Sequence, residues 1–135
     1  MSVMVVGGAG YIGSVAVERL LAAGETVVVY DNFSTGNRGA LSEGAALVEG
    51  NIHDKECLVE AMKAHSVDTV MHFAAYIEVG ESVVNPIKYF ENNVMGAHSV
   101  LTAMHEAEVR QFIFSSTAAV YGMPETVPIT EEVAI

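Results

Sequence analysis

Short Val-rich apolar runs, separated by segments of helical length, set the rhythm of the chain. Strand-like runs at residues 3–6, 27–30, 45–48, 68–73 and 111–115 alternate with helical patterns over about 11–23, 54–65 and 85–107. That alternation predicts right-handed βαβ units on a parallel sheet. The runs are nearly continuous in apolar residues, as strands covered on both faces require. Crossover handedness and a switch point between strands 1 and 4 give an expected order of 3-2-1-4-5, with helices on both faces.

Finer patterning sets the helix ends. In the first helix Ile12, Ala16, Leu20 and Ala23 recur at three- and four-residue spacing, and Gly24 is placed to end it in a left-handed C′ conformation. Phe90, Val94, Ala97, Leu101 and Met104 form a similar stripe in the third helix, with Asn85 as expected N-cap and Pro86 at the first helical position. Residues 32–44 contain Gly36, Gly39 and Gly44 among Ser and Asn, so they read as a loop with no room for a long helix.

Candidate chemistry starts where strand 1 ends. Gly7-Gly8-Ala9-Gly10-Tyr11-Ile12-Gly13 follows Val3-Met4-Val5-Val6, the order strand, tight glycine turn, helix start. In that arrangement a nucleotide pyrophosphate meets free backbone N–H groups and the positive end of a helix dipole. Asp31 closes the second strand eighteen residues past Gly13 (31 − 13), where a carboxylate accepts hydrogen bonds from a ribose. The expected fold is therefore a Rossmann-type doubly wound α/β domain over residues 1–135, its crevice between Gly10 and Phe73.

Composition narrows the partners. Seventeen acidic residues against six basic ones give a formal charge of −11, which disfavours nucleic acid and anionic membranes. A dinucleotide held by backbone dipoles at short range remains compatible. The apolar stretches are interrupted by Glu18, Arg19, Glu25 and Asp31, so no membrane segment is expected. The single Cys57 cannot pair internally, fits a reducing cytoplasm, and reads as a packing residue. His53, His65, His72, His98 and His105 show no ligand spacing, so no metal is expected; His72, inside a buried run, reads as a neutral, hydrogen-bonded core histidine.

Taken together, several motifs resemble the UDP-glucose 4-epimerases of the extended short-chain dehydrogenase/reductase family. They are Gly-Gly-Ala-Gly-Tyr-Ile-Gly-Ser at 7–14, Asp-Asn-Phe-Ser-Thr-Gly at 31–36, His-Phe-Ala-Ala at 72–75, Val-Gly-Glu-Ser-Val at 79–83, Glu-Asn-Asn-Val at 91–94 and Phe-Ser-Ser-Thr-Ala-Ala-Val-Tyr-Gly at 114–122. The resemblance runs along essentially the whole chain but covers only the N-terminal part of such an enzyme. It implies a tightly held NAD that takes a hydride from C4 of a UDP-hexose and returns it to the other face of the 4-keto sugar. By the same resemblance Gly7, Gly10, Tyr11, Ile12 and Gly13 would face the pyrophosphate. Asp31 and Asn32 would meet the adenosine ribose, and Phe33, Ser34, Thr35 and Gly36 the adenine side. Asn51 and Ile52 would flank the adenine, and Phe73, Ala74 and Ala75 would run beneath the cofactor with Ser115 nearby. Asn92 would approach from the long helix, which in the family also mediates self-association. Thr117 occupies the place of the catalytic Ser or Thr.

The chain departs from that pattern at several points. Asn51 stands where an aspartate is usual, Val15 replaces a frequent histidine, and Ile77 lies where some relatives place a lysine near the cofactor phosphates. The family base is the tyrosine of Tyr-x-x-x-Lys. Here Tyr11 leads to Val15, Tyr30 to Ser34, Tyr76 to Gly80, Tyr89 to Asn93 and Tyr121 to Glu125, so none has the lysine. With Pro124, Pro128 and Thr130-Glu131-Glu132 in an irregular terminal run, the chain reads as cut before the tyrosine helix and the substrate domain. The expectation is an NAD-binding part that is inactive alone. The alternatives are an assembly fragment with an empty cofactor site and a part completed to an active epimerase by a second polypeptide. A sugar-nucleotide 4,6-dehydratase would carry Asp-Glu after the threonine, where this chain has Ala118-Ala119.

Overall fold

A computed structural model describes residues 1–123 and 126–133. Pro124 and Ile135 of the terminal run lie outside those residues. The strands are β1 (Ser2–Val6), β2 (Thr26–Asp31), β3 (Ala46–Glu49), β4 (Thr69–His72) and β5 (Gln111–Phe114). They form one sheet in the order β3-β2-β1-β4-β5, every pair parallel. This is the doubly wound Rossmann-type arrangement that the spacing predicts.

The pleat divides the core into two layers. Val3 and Val5 of β1 join Val27 and Val29 of β2 beneath Val17 of helix α1 (Tyr11–Ala22). Met4, Val6, Val28, Tyr30 and Val70 face the other way, against Leu58 and Met62 of α2 (Lys55–Ala64) and Val100 and Met104 of α5 (Ala97–Glu106). Helices thus cover both faces, α1 on one and the α2/α5 pair on the other.

Helix ends follow local chemistry. Asp54 caps α2 by accepting from the Cys57 amide at 3.0 Å. Gly24 ends α1 at φ +81°, with its own N–H donating to the Leu21 carbonyl and that of Glu25 to Leu20, as expected. Asn85, by contrast, makes no side-chain cap bond, although Pro86 does open the helix α4 (Pro86–Tyr89).

Three expectations about helices are corrected. In α1 the buried positions are Gly13 and Val17, while Ile12 is exposed at the cleft end. The buried side is centred on β-branched Val17, which seats over β1 and β2; of the expected stripe, Leu20 packs against that layer and Ile12 does not. The run 85–107 is not one uniform α-helix: α4 continues through a π-helical stretch, Phe90–Gly96, into α5. Its buried side consists of Tyr89, Gly96, Val100, Ala103 and Met104, leaving Phe90, Val94 and Leu101 exposed. A short helix α3 (Val79–Val84) also stands where no element is expected. Only a 3₁₀ turn, Arg38–Ala40, interrupts the loop after β2.

Candidate functional site

Two backbone approaches explain why the loop after β1 needs glycine. Gly7 has φ +81°, and a Cβ there would lie 2.7 Å from the Ala74 backbone nitrogen. A Cβ on Gly13 would lie 2.2 Å from the Gly7 carbonyl oxygen. The first turn of α1 therefore sits directly on the loop, with the chain leaving β4 packed against its other side.

No side chain caps α1 and no acidic residue stands in its first turn. Its leading N–H groups and dipole thus point outward uncompensated, an arrangement suited to an anion. Gly7, Gly10, Tyr11, Ile12 and Gly13 all border a cleft of about 510 Å³, which continues past Phe73 and Ala75 to Ser115 and Ser116. An adjoining slot toward β2 is bordered by Asp31, Asn32, Ser34 and Thr35, and by Ile52, Ala74 and Asn92. Phe33, Gly36 and Asn51 stand outside these walls. The Phe33 ring lies under the Arg38 guanidinium at 4.0 Å. Gly36 packs where a Cβ would be 2.9 Å from Asp31 Oδ1. Asn51 accepts the Tyr30 hydroxyl proton on its carbonyl at 2.9 Å and turns its side chain back to the His53 amide.

Asp31 is 8 % exposed, and its carboxylate accepts from two amides, Ala9 N at 2.9 Å and Phe33 N at 2.8 Å. It fixes the glycine loop and the following loop to the end of β2. Each oxygen retains acceptor capacity, since a carboxylate offers about four lone-pair sites.

The residues 73–82 and the helix opposite supply a group that motif spacing does not reveal. Asn93 clamps the Tyr76 backbone from both sides, accepting from its N–H and donating to its carbonyl, each at 2.9 Å. Asn92 donates to Asn93 Oδ1 at 2.9 Å. Neighbouring side chains serve one loop together here because they lie on the π-helical stretch, a feature often found at functional sites. Beside them Glu81 accepts from Lys88 Nζ at 2.6 Å and from the Tyr89 hydroxyl at 2.8 Å. Those partners hold the Glu81 carboxyl below its ordinary range. Burial, then the Glu81 hydrogen bond, pushes the Tyr89 phenol up to about 12. Glu81, Asn92 and Asn93 belong to the Val-Gly-Glu-Ser-Val and Glu-Asn-Asn-Val motifs, of which the resemblance points to Asn92 alone.

A third cavity, about 550 Å³, is bordered by His72, Tyr89, Asn93, Ser115, Ser116 and Thr117. Thr117 accepts from the Ala119 amide at 3.2 Å and so begins the 3₁₀ turn Ala118–Tyr121. His72 is 2 % exposed and stacks on Phe114, ring centroids 5.8 Å apart. Burial lowers its pKa, so it is neutral as expected, but Nδ1 has no hydrogen-bond partner. That corrects the reading of a hydrogen-bonded core histidine.

Among the described residues, no helix is long and apolar enough to cross a membrane, and no group of three or more His, Cys, Asp or Glu is placed to hold a metal ion. Cys57 packs at the edge of the core.

Sheet order, glycine turn and cleft together define a Rossmann-type α/β protein with an anion-accepting helix terminus at its switch point. The chain belongs to the NAD dependent epimerase/dehydratase family, whose model matches residues 3–135. It is 51 % identical over 131 residues to the UDP-glucose 4-epimerase of Halalkalibacterium halodurans, covering 97 % of this chain and 39 % of that protein. The UDP-glucose 4-epimerase of Brucella ovis, solved in complex with NAD, is 47 % identical with a TM-score of 0.89, covering 96 % of this chain and 40 % of that one. The Bifidobacterium longum UDP-glucose 4-epimerase, solved with NAD+ and UDP, is 33 % identical with a TM-score of 0.88, covering 99 % and 42 %. The chain thus spans about two fifths of the length of the relatives it matches.

Proposed function

We propose that residues 1–135 are the NAD-binding domain of an enzyme that epimerises a UDP-hexose at C4. The observation that carries this is the uncapped α1 terminus facing a glycine loop that backbone contacts on both sides hold open. The relatives solved with NAD support the identity of the anion.

In this reading the N–H groups of Tyr11, Ile12 and Gly13 receive the pyrophosphate above Gly7 and Gly10. Asp31 and Asn32 bind the adenosine ribose, with Ser34, Thr35 and Ile52 along the adenine. Phe33, Gly36 and Asn51 act behind them, shaping the loops. Phe73, Ala74, Ala75, Asn92 and Ser115 line the path beneath the cofactor. Bound NAD supplies reversible hydride transfer at its nicotinamide. Thr117 hydrogen-bonds the sugar's reacting oxygen and orients it.

The protein acts in the cytoplasm, a compartment compatible with its unpaired Cys57. It self-associates through the 85–107 helix, whose Ile87, Met95 and Phe90 are exposed. Tyr89, on the same helix, is buried and donates to Glu81.

Calorimetric titration with NAD, together with native mass spectrometry of the purified chain, tests the reading. Saturable one-to-one binding or retained NAD supports it. No binding at millimolar NAD refutes it.

A further inference from the structure

The cleft beside the glycine loop carries an imbalance of charge. Its walls include the carboxylates of Glu78 and Glu81, and the chain as a whole carries a formal charge of −11. A pyrophosphate entering there needs more than helix N–H groups to offset that field. Position 77, on the same wall, is an exposed isoleucine. Of the six basic residues, Lys88 alone borders the cleft. Arg38 is held by Glu49 and Phe33 at the far edge of the sheet, and Lys55 by Glu106 between α2 and α5.

The ammonium of Lys88 is held in place. Glu81 Oε1 accepts from it at 2.6 Å, while the other Glu81 oxygen is occupied by the Tyr89 hydroxyl at 2.8 Å. The Tyr76 ring lies 4.7 Å beneath it, and Asn93 fixes the Tyr76 backbone. An ammonium has three N–H donors. Glu81 takes one and the ring face a second, which leaves one available to the cleft.

Resting on the reading of an NAD site, we propose that Lys88 is the cationic contact for the dinucleotide phosphate farther from the adenine. Lys88 does not border the slot that contains Asp31, Asn32 and Ile52, so its contact belongs to the nicotinamide half of the cofactor. The Glu81 pair keeps it charged and aimed, and the lysine takes the place of any cation at position 77.

Calorimetric titrations with NAD and with AMP, which presents only the adenine-side phosphate, test this on the full chain. Lys88→Met is expected to weaken NAD ~3- to 5-fold, the upper part of the range for a partly exposed charge contact. AMP affinity should stay unchanged and the salt dependence of NAD binding should flatten. Lys88→Arg should keep NAD affinity within about twofold, since the charge survives. The double variant Glu81→Gln/Lys88→Met should keep the loss relative to Glu81→Gln alone. If the Lys88→Met loss vanishes in that background, the lysine only neutralises Glu81 and the proposal fails. Equal losses for NAD and AMP, or a melting midpoint that falls in parallel with affinity, also overturn it. If the unaltered chain binds AMP but not NAD, or neither, the reading of an NAD site fails and this proposal with it. If it binds NAD and Lys88→Met binds equally well, only the role of Lys88 is lost.

Discussion

The Asp31 carboxylate accepts from the Ala9 amide at 2.9 Å, tying the last residue of β2 to the middle of the glycine loop. Asp31→Ala leaves the buried Ala9 N–H without a partner and frees the Phe33 N–H as well. A loss of about 1–3 kcal/mol in urea unfolding is expected, the cost of an unsatisfied buried group. The same carboxylate should make NAD preferred over NADP, whose 2′-phosphate would meet a like charge. Arg38, seven residues further on (38 − 31), is paired with Glu49 at the surface. Asp31→Ala should therefore narrow the gap between the two cofactors. Equal affinities in the unaltered chain would count against the assignment.

Two alanine substitutions at glycines should act in opposite directions. Gly13→Ala drives a methyl to 2.2 Å from the Gly7 carbonyl oxygen, so either α1 or the loop must move. About 1–3 kcal/mol of stability and most NAD affinity should go with it. A Cβ at Gly80, inside α3, meets nothing within 4 Å. Gly80→Ala should raise stability by about 0.5–1 kcal/mol through helix propensity. Thermal melts of the two variants, side by side, check both.

The contrast between these glycines reflects what was legible in the sequence. Gly7 to Gly13 sit in a motif whose spacing specifies a geometry, so turn, helix start and switch point could be read together. Strand order followed from crossover handedness and the switch point, while the Val-rich runs marked the buried centre of the sheet, β1 and β2; the edge strand β5 leaves Ile113 and Phe114 exposed. Helix rotation was less accessible. In α1 both the Ile12 and the Val17 faces are apolar, and only the packing of Val17 onto β1 and β2 decides between them. The π-helical stretch leaves no trace in hydrophobic period, since it changes hydrogen-bond partners and not composition. The Asn93 clamp is set by where that stretch turns its side chains, and the Glu81–Lys88–Tyr89 group by the approach of α3 to α4, neither of which marks the hydrophobic period. Asn51 resembled an adenine ligand by position, but its amide caps its own turn.

His72 should make stability depend on pH. Burial lowers its pKa in the folded state below the unfolded value near 6.5. Above that value the imidazole is neutral in both states and its protonation makes no difference to stability. As pH falls through it, the unfolded chain binds the proton first and stability drops, by at most about 1.4 kcal/mol per pH unit. His72→Phe, beside Phe112 and Phe114, removes that component along with the unpaired Nδ1. Urea midpoints at pH 7.5 and 5.5, chosen to bracket about 6.5, should converge in the variant relative to the unaltered chain. Parallel pH dependence in both would assign the effect to other groups.

Self-association is expected from the long helix. Ile87 is 64 % exposed and Met95 56 %, with Phe90, Val94 and Leu101 also open. Several large apolar side chains exposed along one helix favour a partner. Light scattering should report a dimer or larger species, and Ile87→Glu with Met95→Glu should shift it toward monomer. A clean monomer of the unaltered chain by light scattering would contradict this.

These 135 residues on their own should not epimerise UDP-glucose or UDP-galactose at a useful rate, even with NAD bound. Hydride loss from C4 needs proton removal from its hydroxyl, and a positioned base contributes about 10²–10⁴ in rate. None of the five tyrosines has a lysine four residues on, and four of them are committed elsewhere or misplaced. The Tyr30 hydroxyl is committed to the Asn51 carbonyl and burial pushes its pKa up, while Tyr89 donates to a carboxylate that raises its own. Tyr11 is 90 % exposed at the α1 terminus, and Lys88 meets Tyr76 at the ring face, 4.7 Å away. Thr117 can orient a hydroxyl, but its oxygen already accepts from Ala119 and it lacks the acidity to exchange the proton. Binding the sugar beside the nicotinamide is worth up to about 7–11 kcal/mol of the barrier, and residues gripping a uridine diphosphate must be supplied to obtain it. A coupled assay on the purified chain, with Thr117→Ala as control, should show no turnover above background in either. Turnover approaching that of a complete epimerase, and lost in Thr117→Ala, would place a working base among these residues.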